Sequence, residues 1–104
     1  MAWKTRAEHL AQNYSITEEI YDKIFQHQNG KCAICGCHQR YQRLSVDHDH
    51  QTGQVRGLLC MHCNRALGHM FDSALRLRNA AEYIERAKQA WNEVMNNGHS
   101  TSRV

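Results

Sequence analysis

The chain has 104 residues, a formal net charge of +3, a pI near 8.7, a mean hydropathy of −0.73, five cysteines and no proline. That length fits one domain, 1–104, with a core too small to be comfortably stable on packing alone. No apolar run is long enough to cross a membrane and no leader-like start is present, so a soluble cytoplasmic protein is expected, in which cysteines serve metals rather than disulfides.

The first thirty residues read as two helices. In 3–14, Trp3, Ala7, Leu10 and Tyr14 recur at intervals of three and four. In the second, Thr17 suits the N-cap and Glu18 and Glu19 the electropositive first turn. Ile20 and Ile24 share one face, with Tyr21 and Phe25 beside them. Asn29-Gly30 ends it, because both residues tolerate a left-handed backbone. Residues 31–71 follow as a compact core. Lys31 to Gly36 forms a tight turn with two cysteines, 44–47 a short strand, 50–54 a turn and 55–59 the returning strand. Cys60-Met61-His62-Cys63 makes a second cysteine turn, and a helix leaves it from Asn64 to about Phe71. Residues 73–95 predict a long helix, with Leu77, Ala80, Ile84, Ala87, Trp91 and Val94 along one stripe. The stripe reads as packing on the domain's own core, with a homodimer seam as the alternative. The polar residues 96–104 are expected to fray. The fold class is thus α+β and mainly helical.

Cys32-x-x-Cys35 and Cys60-x-x-Cys63 are two knuckles, and two such pairs complete a thiolate tetrahedron. Four sulfur ligands leave no open position, so this zinc is expected to be structural. Cys37 reads as a free thiol, and His38 as a weak competitor for the ion.

Between the knuckles lies Val46-Asp47-His48-Asp49-His50. By content alone this is a solvated turn. Its position argues otherwise, because a hairpin held by zinc against a helix brings Asn64 back beside the end of the first strand. Hydrolysis of a phosphodiester needs a base for water, which histidine supplies near neutral pH. It also needs positive charge at the phosphate and leaving oxygen, and a hard divalent cation on carboxylate and amide oxygens supplies that.

Residues 29–69 resemble the phage recombination endonuclease VII family, within the HNH or His-Me finger nucleases. The likeness rests on the paired knuckles, Asp47-His48-Asp49-His50, Gly53-Gln54-Val55-Arg56-Gly57-Leu58-Leu59-Cys60, and Cys63-Asn64. It implies a zinc-stapled ββα-metal core with flanking N- and C-terminal helices. It further implies structural zinc on Cys32, Cys35, Cys60 and Cys63, and catalytic magnesium or manganese on Asp47 and Asn64. His48 would be the general base, with His50 assisting at the phosphate, the metal or the leaving group. Asp49 either orients a neighbouring imidazole or is a turn residue. The implied reaction is attack of water on DNA, leaving a 5′-phosphate and a 3′-hydroxyl. Members that resolve branched DNA carry longer C-terminal regions and form intertwined dimers; here only the 73–95 helix stands in that place.

Arg43, Arg56 and Arg65 are the candidate DNA contacts, since arginine pairs with phosphates without reading sequence. For Arg56 a structural salt bridge is the alternative. Arg40 flanks the same region, and Arg76, Arg78, Arg86 and Lys88 extend the basic surface, diluted by Glu82 and Glu85. His62 and His69 read as bystanders, His9, His27 and His99 carry no signal, and Trp3 and Trp91 read as packing residues. Two other functions compete with the nuclease. One is a non-catalytic zinc module that binds DNA or protein. The other is a thiol-redox protein, which lacks the βαβ context such motifs require.

Overall fold

The computed structural model of the protein describes residues 5–97. The elements are four helices and one small antiparallel sheet, in the order α1 (Arg6–Tyr14), α2 (Glu18–His27), β1 (Ser45–His48), β2 (Val55–Leu59), α3 (Met61–His69) and α4 (Ala74–Asn97). Trp3, His99 and most of the expected fraying tail lie outside the described residues.

α1 begins later than the periodicity implied because Thr5 caps it. The Thr5 hydroxyl accepts from the Glu8 amide at 3.1 Å, and the Glu8 carboxylate accepts from the Thr5 amide at 3.0 Å. α2 starts as expected, with the Thr17 hydroxyl accepting from the Ile20 amide at 3.2 Å. It ends through Asn29 and Gly30, at φ of 56° and 71°. Arg6 ties the two helices together through Glu18 at 2.9 Å and Asp22 at 3.2 Å.

Leu10, Ile16, Tyr21, Leu44, Val46, Leu58 and Leu59 form the core together with Cys32 and Cys60. Val46 and Asp47 are both buried on β1, and Leu58 on β2 is fully buried. Tyr21 reaches across from α2, and its hydroxyl donates to the Leu44 carbonyl at 2.6 Å. The core is small, so a metal staple beside it has much to contribute.

The hairpin pairs Ser45 with Leu59, Val46 with Leu58, Asp47 with Gly57 and His48 with Val55. The register passes over Arg56, which is the extra residue of a β-bulge. The outer edge of β2 is covered by a side chain. Gln28, just past α2, accepts from the Leu58 amide at 2.9 Å and donates to the Leu58 carbonyl at 2.9 Å and the Lys31 carbonyl at 2.8 Å. One carboxamide thus does what a third strand would do at that position. α3 packs against both strands.

The chain divides into two compact units, one ending at His69 and the other beginning at Met70. In the second unit Phe71 and Asp72 adopt left-handed conformations, at φ of 58° and 55°. The Ser73 hydroxyl then caps α4 by accepting from the Arg76 amide at 3.1 Å. Along α4, Leu77 and Ala80 are half-buried, whereas Ile84, Trp91 and Val94 are exposed.

Candidate functional site

Two clusters of chemically capable side chains flank the hairpin. The first is sulfur-based. The ligand atoms of Cys32, Cys35, Cys60 and Cys63 all lie within 4.8 Å of one another, and those of Cys35 and Cys60 are 3.8 Å apart. A tetrahedral zinc with sulfurs at about 2.3 Å requires sulfur–sulfur edges of about 3.8 Å, so the four cysteines can hold such an ion.

Each knuckle builds itself locally. In the first, the Gly36 amide donates to the Cys32 carbonyl at 3.0 Å and the Ile34 amide to the Cys32 sulfur at 3.4 Å. In the second, the Cys63 amide donates to the Cys60 sulfur at 3.4 Å. This second knuckle is itself the first turn of α3, so the helix starts at Met61 rather than at Asn64 as the sequence suggested. Gln39 completes that helix start, its side-chain oxygen accepting from the Met61 amide at 2.8 Å.

Burial pushes the Cys32 thiol up, but hydrogen bonds from the backbone of Cys60, Cys35 and Ile34 outweigh it and bring its pKa down to about 6. Burial and the neighbouring sulfurs drive Cys63 the other way. Four crowded sulfurs cannot all become anions without a cation among them. Cys37 sits beside the group, its sulfur 3.1 Å from that of Cys35, which pushes its own pKa up to about 12. Among the described residues it is not part of the four-cysteine set.

The second cluster lies along β1 and the turn that follows. Asp47 is buried, and Arg56 grips it with two hydrogen bonds, Nε to Oδ2 at 2.7 Å and Nη2 to Oδ1 at 3.0 Å. The register shifts opposite the step from Asp47 to His48, where β2 carries the extra residue Arg56. His48 is half-buried, with the His50 ring centred 5.0 Å away and the Tyr14 ring 5.6 Å away. His9 extends the row, 6.0 Å from Tyr14. Asn64 is half-buried on α3, which packs on β1. Its amide continues the helix by donating to the Cys60 carbonyl at 2.9 Å.

Asp49 forms the turn. Its Oδ1 accepts from the amides of Gln51 at 2.8 Å and Thr52 at 3.0 Å, and these bonds hold its carboxyl below the usual carboxylate range. These bonds give Asp49 a turn-forming role. The candidate arginines divide. Arg56 is committed to Asp47, Arg43 lies over the Tyr21 ring at 4.0 Å, and Arg65 is exposed on α3. Gln28 and Gln39 carry no sequence signal. Tyr14 was visible as part of a helical stripe, but nothing local marks a glutamine that will pair with a strand 30 residues away.

No helix among the described residues is long and apolar enough to cross a membrane. The sequence also matches known proteins. The profile of the recombination endonuclease VII family matches residues 7–86. The chain is 44% identical over 87 residues to the Gene 59 protein of Mycobacterium phage D29, covering 82% of this chain and 51% of that protein. It is likewise 44% identical over 85 residues to the Gene 59 protein of Mycobacterium phage L5, covering 80% and 50%. The chain thus spans about half the length of these curated relatives. The match runs from α1 into α4 and takes in both cysteine knuckles and the whole hairpin, so the chain belongs to the recombination endonuclease VII family.

Proposed function

We propose that this chain is a metal-dependent DNA endonuclease of the HNH type, with β1, β2 and α3 as its ββα-metal, His-Me finger core. The observation that carries the reading is the juxtaposition on one hairpin of a buried carboxylate, Asp47, and a half-buried imidazole, His48, beside the helix that bears Asn64. Family membership supplies the expectation that the substrate is DNA. In a phage the setting would be the host cytoplasm.

In this reading His48 accepts the proton of the attacking water, and the rings of Tyr14 and His50 restrict its imidazole. His50, exposed at the turn, faces the phosphate or the leaving group. Asp47 and Asn64 would hold magnesium or manganese through a carboxylate and an amide oxygen. The donor types suit a hard cation, which would have to take the Asp47 carboxylate from Arg56, its partner in this structure. When bound, the ion would offset negative charge on the phosphate and the departing oxygen. Zinc on the four cysteines would hold α3 to the hairpin without entering the chemistry. Arg65 and Arg43 would contact the DNA backbone. A homodimer through the exposed α4 residues Ile84, Trp91 and Val94 is part of the same proposal, and sedimentation tests it.

The test is cleavage of supercoiled plasmid, linear duplex, single-stranded and branched DNA, with and without magnesium. His48→Ala should lose at least about a hundredfold in rate, the usual weight of a general base, while keeping its fold and zinc content. Cutting by His48→Ala at the wild-type rate would remove His48 from the mechanism. A second reading, a zinc module that binds DNA or protein without cutting it, is favoured by one observation: both Asp47 oxygens are already engaged. It expects binding that is indifferent to His48 and no cleavage.

A further inference from the structure

Arg56 is placed unusually for a phosphate-binding residue. It is the bulged residue of β2, so its backbone stands out of the ladder and its side chain is re-aimed across the hairpin onto Asp47. The contact is two-pronged, at 2.7 and 3.0 Å, and takes up one lone-pair direction on each carboxylate oxygen. The two partners differ in freedom. The Asp47 side chain is 11% exposed and set in a strand, whereas that of Arg56 is 36% exposed on a long, flexible stem.

We propose that Arg56 is the resting counterion of Asp47 and keeps divalent metal off that carboxylate until a DNA phosphate draws the guanidinium away. This rests on the reading of Asp47 as a metal ligand. The charges demand such an exchange. Asp47 and Arg56 together are neutral. A divalent ion entering beside an unmoved guanidinium would put three positive charges against one carboxylate in a partly desolvated place. If Arg56 instead turns to a phosphate, each anion keeps a cation. Arginine suits both states because its planar fork matches carboxylate and phosphate equally well. Metal and DNA should then bind with positive, reciprocal coupling, and the protein alone should hold the metal weakly. Arg56 is a positioning residue in this scheme, acting through Asp47.

The test reads metal binding rather than cleavage. Manganese is titrated into reduced protein carrying one equivalent of zinc and followed by electron paramagnetic resonance. The proteins are His48→Ala, which should not cut, and His48→Ala with Arg56→Gln, each with and without a 16-base-pair duplex. Without DNA, removing Arg56 should tighten manganese binding about tenfold or more, the weight of a charge-assisted bidentate pair. Adding duplex should tighten binding to the Arg56-containing protein markedly more than to the Gln variant. If Arg56→Gln fails to fold, as judged by circular dichroism, Arg56→Lys replaces it. That variant keeps the charge but loses the fork, and should show a smaller tightening in the same direction. Equal or weaker manganese binding once Arg56 is changed would overturn the exchange while leaving the nuclease reading intact. If no protein binds manganese, or binding persists in Asp47→Asn, both readings fail.

Discussion

Replacing Gln28 by alanine tests whether one side chain really takes the place of a third strand. The substitution removes three hydrogen bonds, two to the backbone of Leu58 and one to the Lys31 carbonyl. Each is worth about 1 kcal/mol net. The Leu58 carbonyl keeps the Ala33 amide at 3.1 Å, so it is not orphaned. The Leu58 amide is different, because its partner is the lost oxygen and the residue is fully buried. An unpaired buried donor costs a further 1 kcal/mol or so, which brings the expected loss to roughly 3–4 kcal/mol. For a domain of this size that is a fall in Tm of more than about 10 °C. Urea unfolding followed by circular dichroism measures the loss, and amide exchange at Leu58 localises it. Gln28→Glu sharpens the test: it keeps an acceptor for the amide but turns an anionic oxygen toward two carbonyls, and should be at least as damaging. A Gln28→Ala protein within about 0.5 kcal/mol of wild type, with Leu58 exchange unchanged, would refute the bridging role.

Three further outcomes rest on other contacts of the same fold. A Cβ on Gly57 would lie 3.1 Å from the Gln28 side-chain oxygen, which the Leu58 amide holds in place. Gly57→Ala should therefore cost about 1–2 kcal/mol, and less when Gln28 is already alanine, as a double-mutant cycle in urea will read. Stripping metal from the four cysteines with a chelator under reducing conditions should melt the unit that ends at His69, and added zinc should restore it; an unchanged far-UV spectrum counts against a structural ion. The turn after β1 should respond to acid. The Asp49 pKa is lowered by the amides of Thr52 and Gln51, so its contribution is complete above the ordinary carboxylate range and disappears as pH falls through the lower folded value. The Gln51 and Thr52 amide resonances should titrate together in that window and lose the dependence in Asp49→Ala.

Local chemistry was legible in the sequence wherever neighbours in the chain decide the structure. Thr17 caps α2, Asn29-Gly30 ends it, and each Cys-x-x-Cys knuckle is shaped by its own amides. The hairpin was legible too, as two short strand-like runs around a turn, but not its register, which shifts opposite Asp47 and His48. The start of α3 was missed because a cysteine sulfur can occupy the capping position, which propensity does not report.

By itself the sequence determined the helices, the hairpin, the sulfur cluster and the family, because periodicity, turn chemistry and ligand spacing act over a few residues or recur as a pattern. Only the tertiary structure decided what Asp47 faces, what stands beside His48 and what closes the edge of β2. Those depend on a bulge that re-aims Arg56, on Tyr14 arriving from α1, and on Gln28 arriving from 30 residues away. Contacts between distant segments are set by how the elements pack, and a polar side chain carries no mark of the partner that packing will bring it.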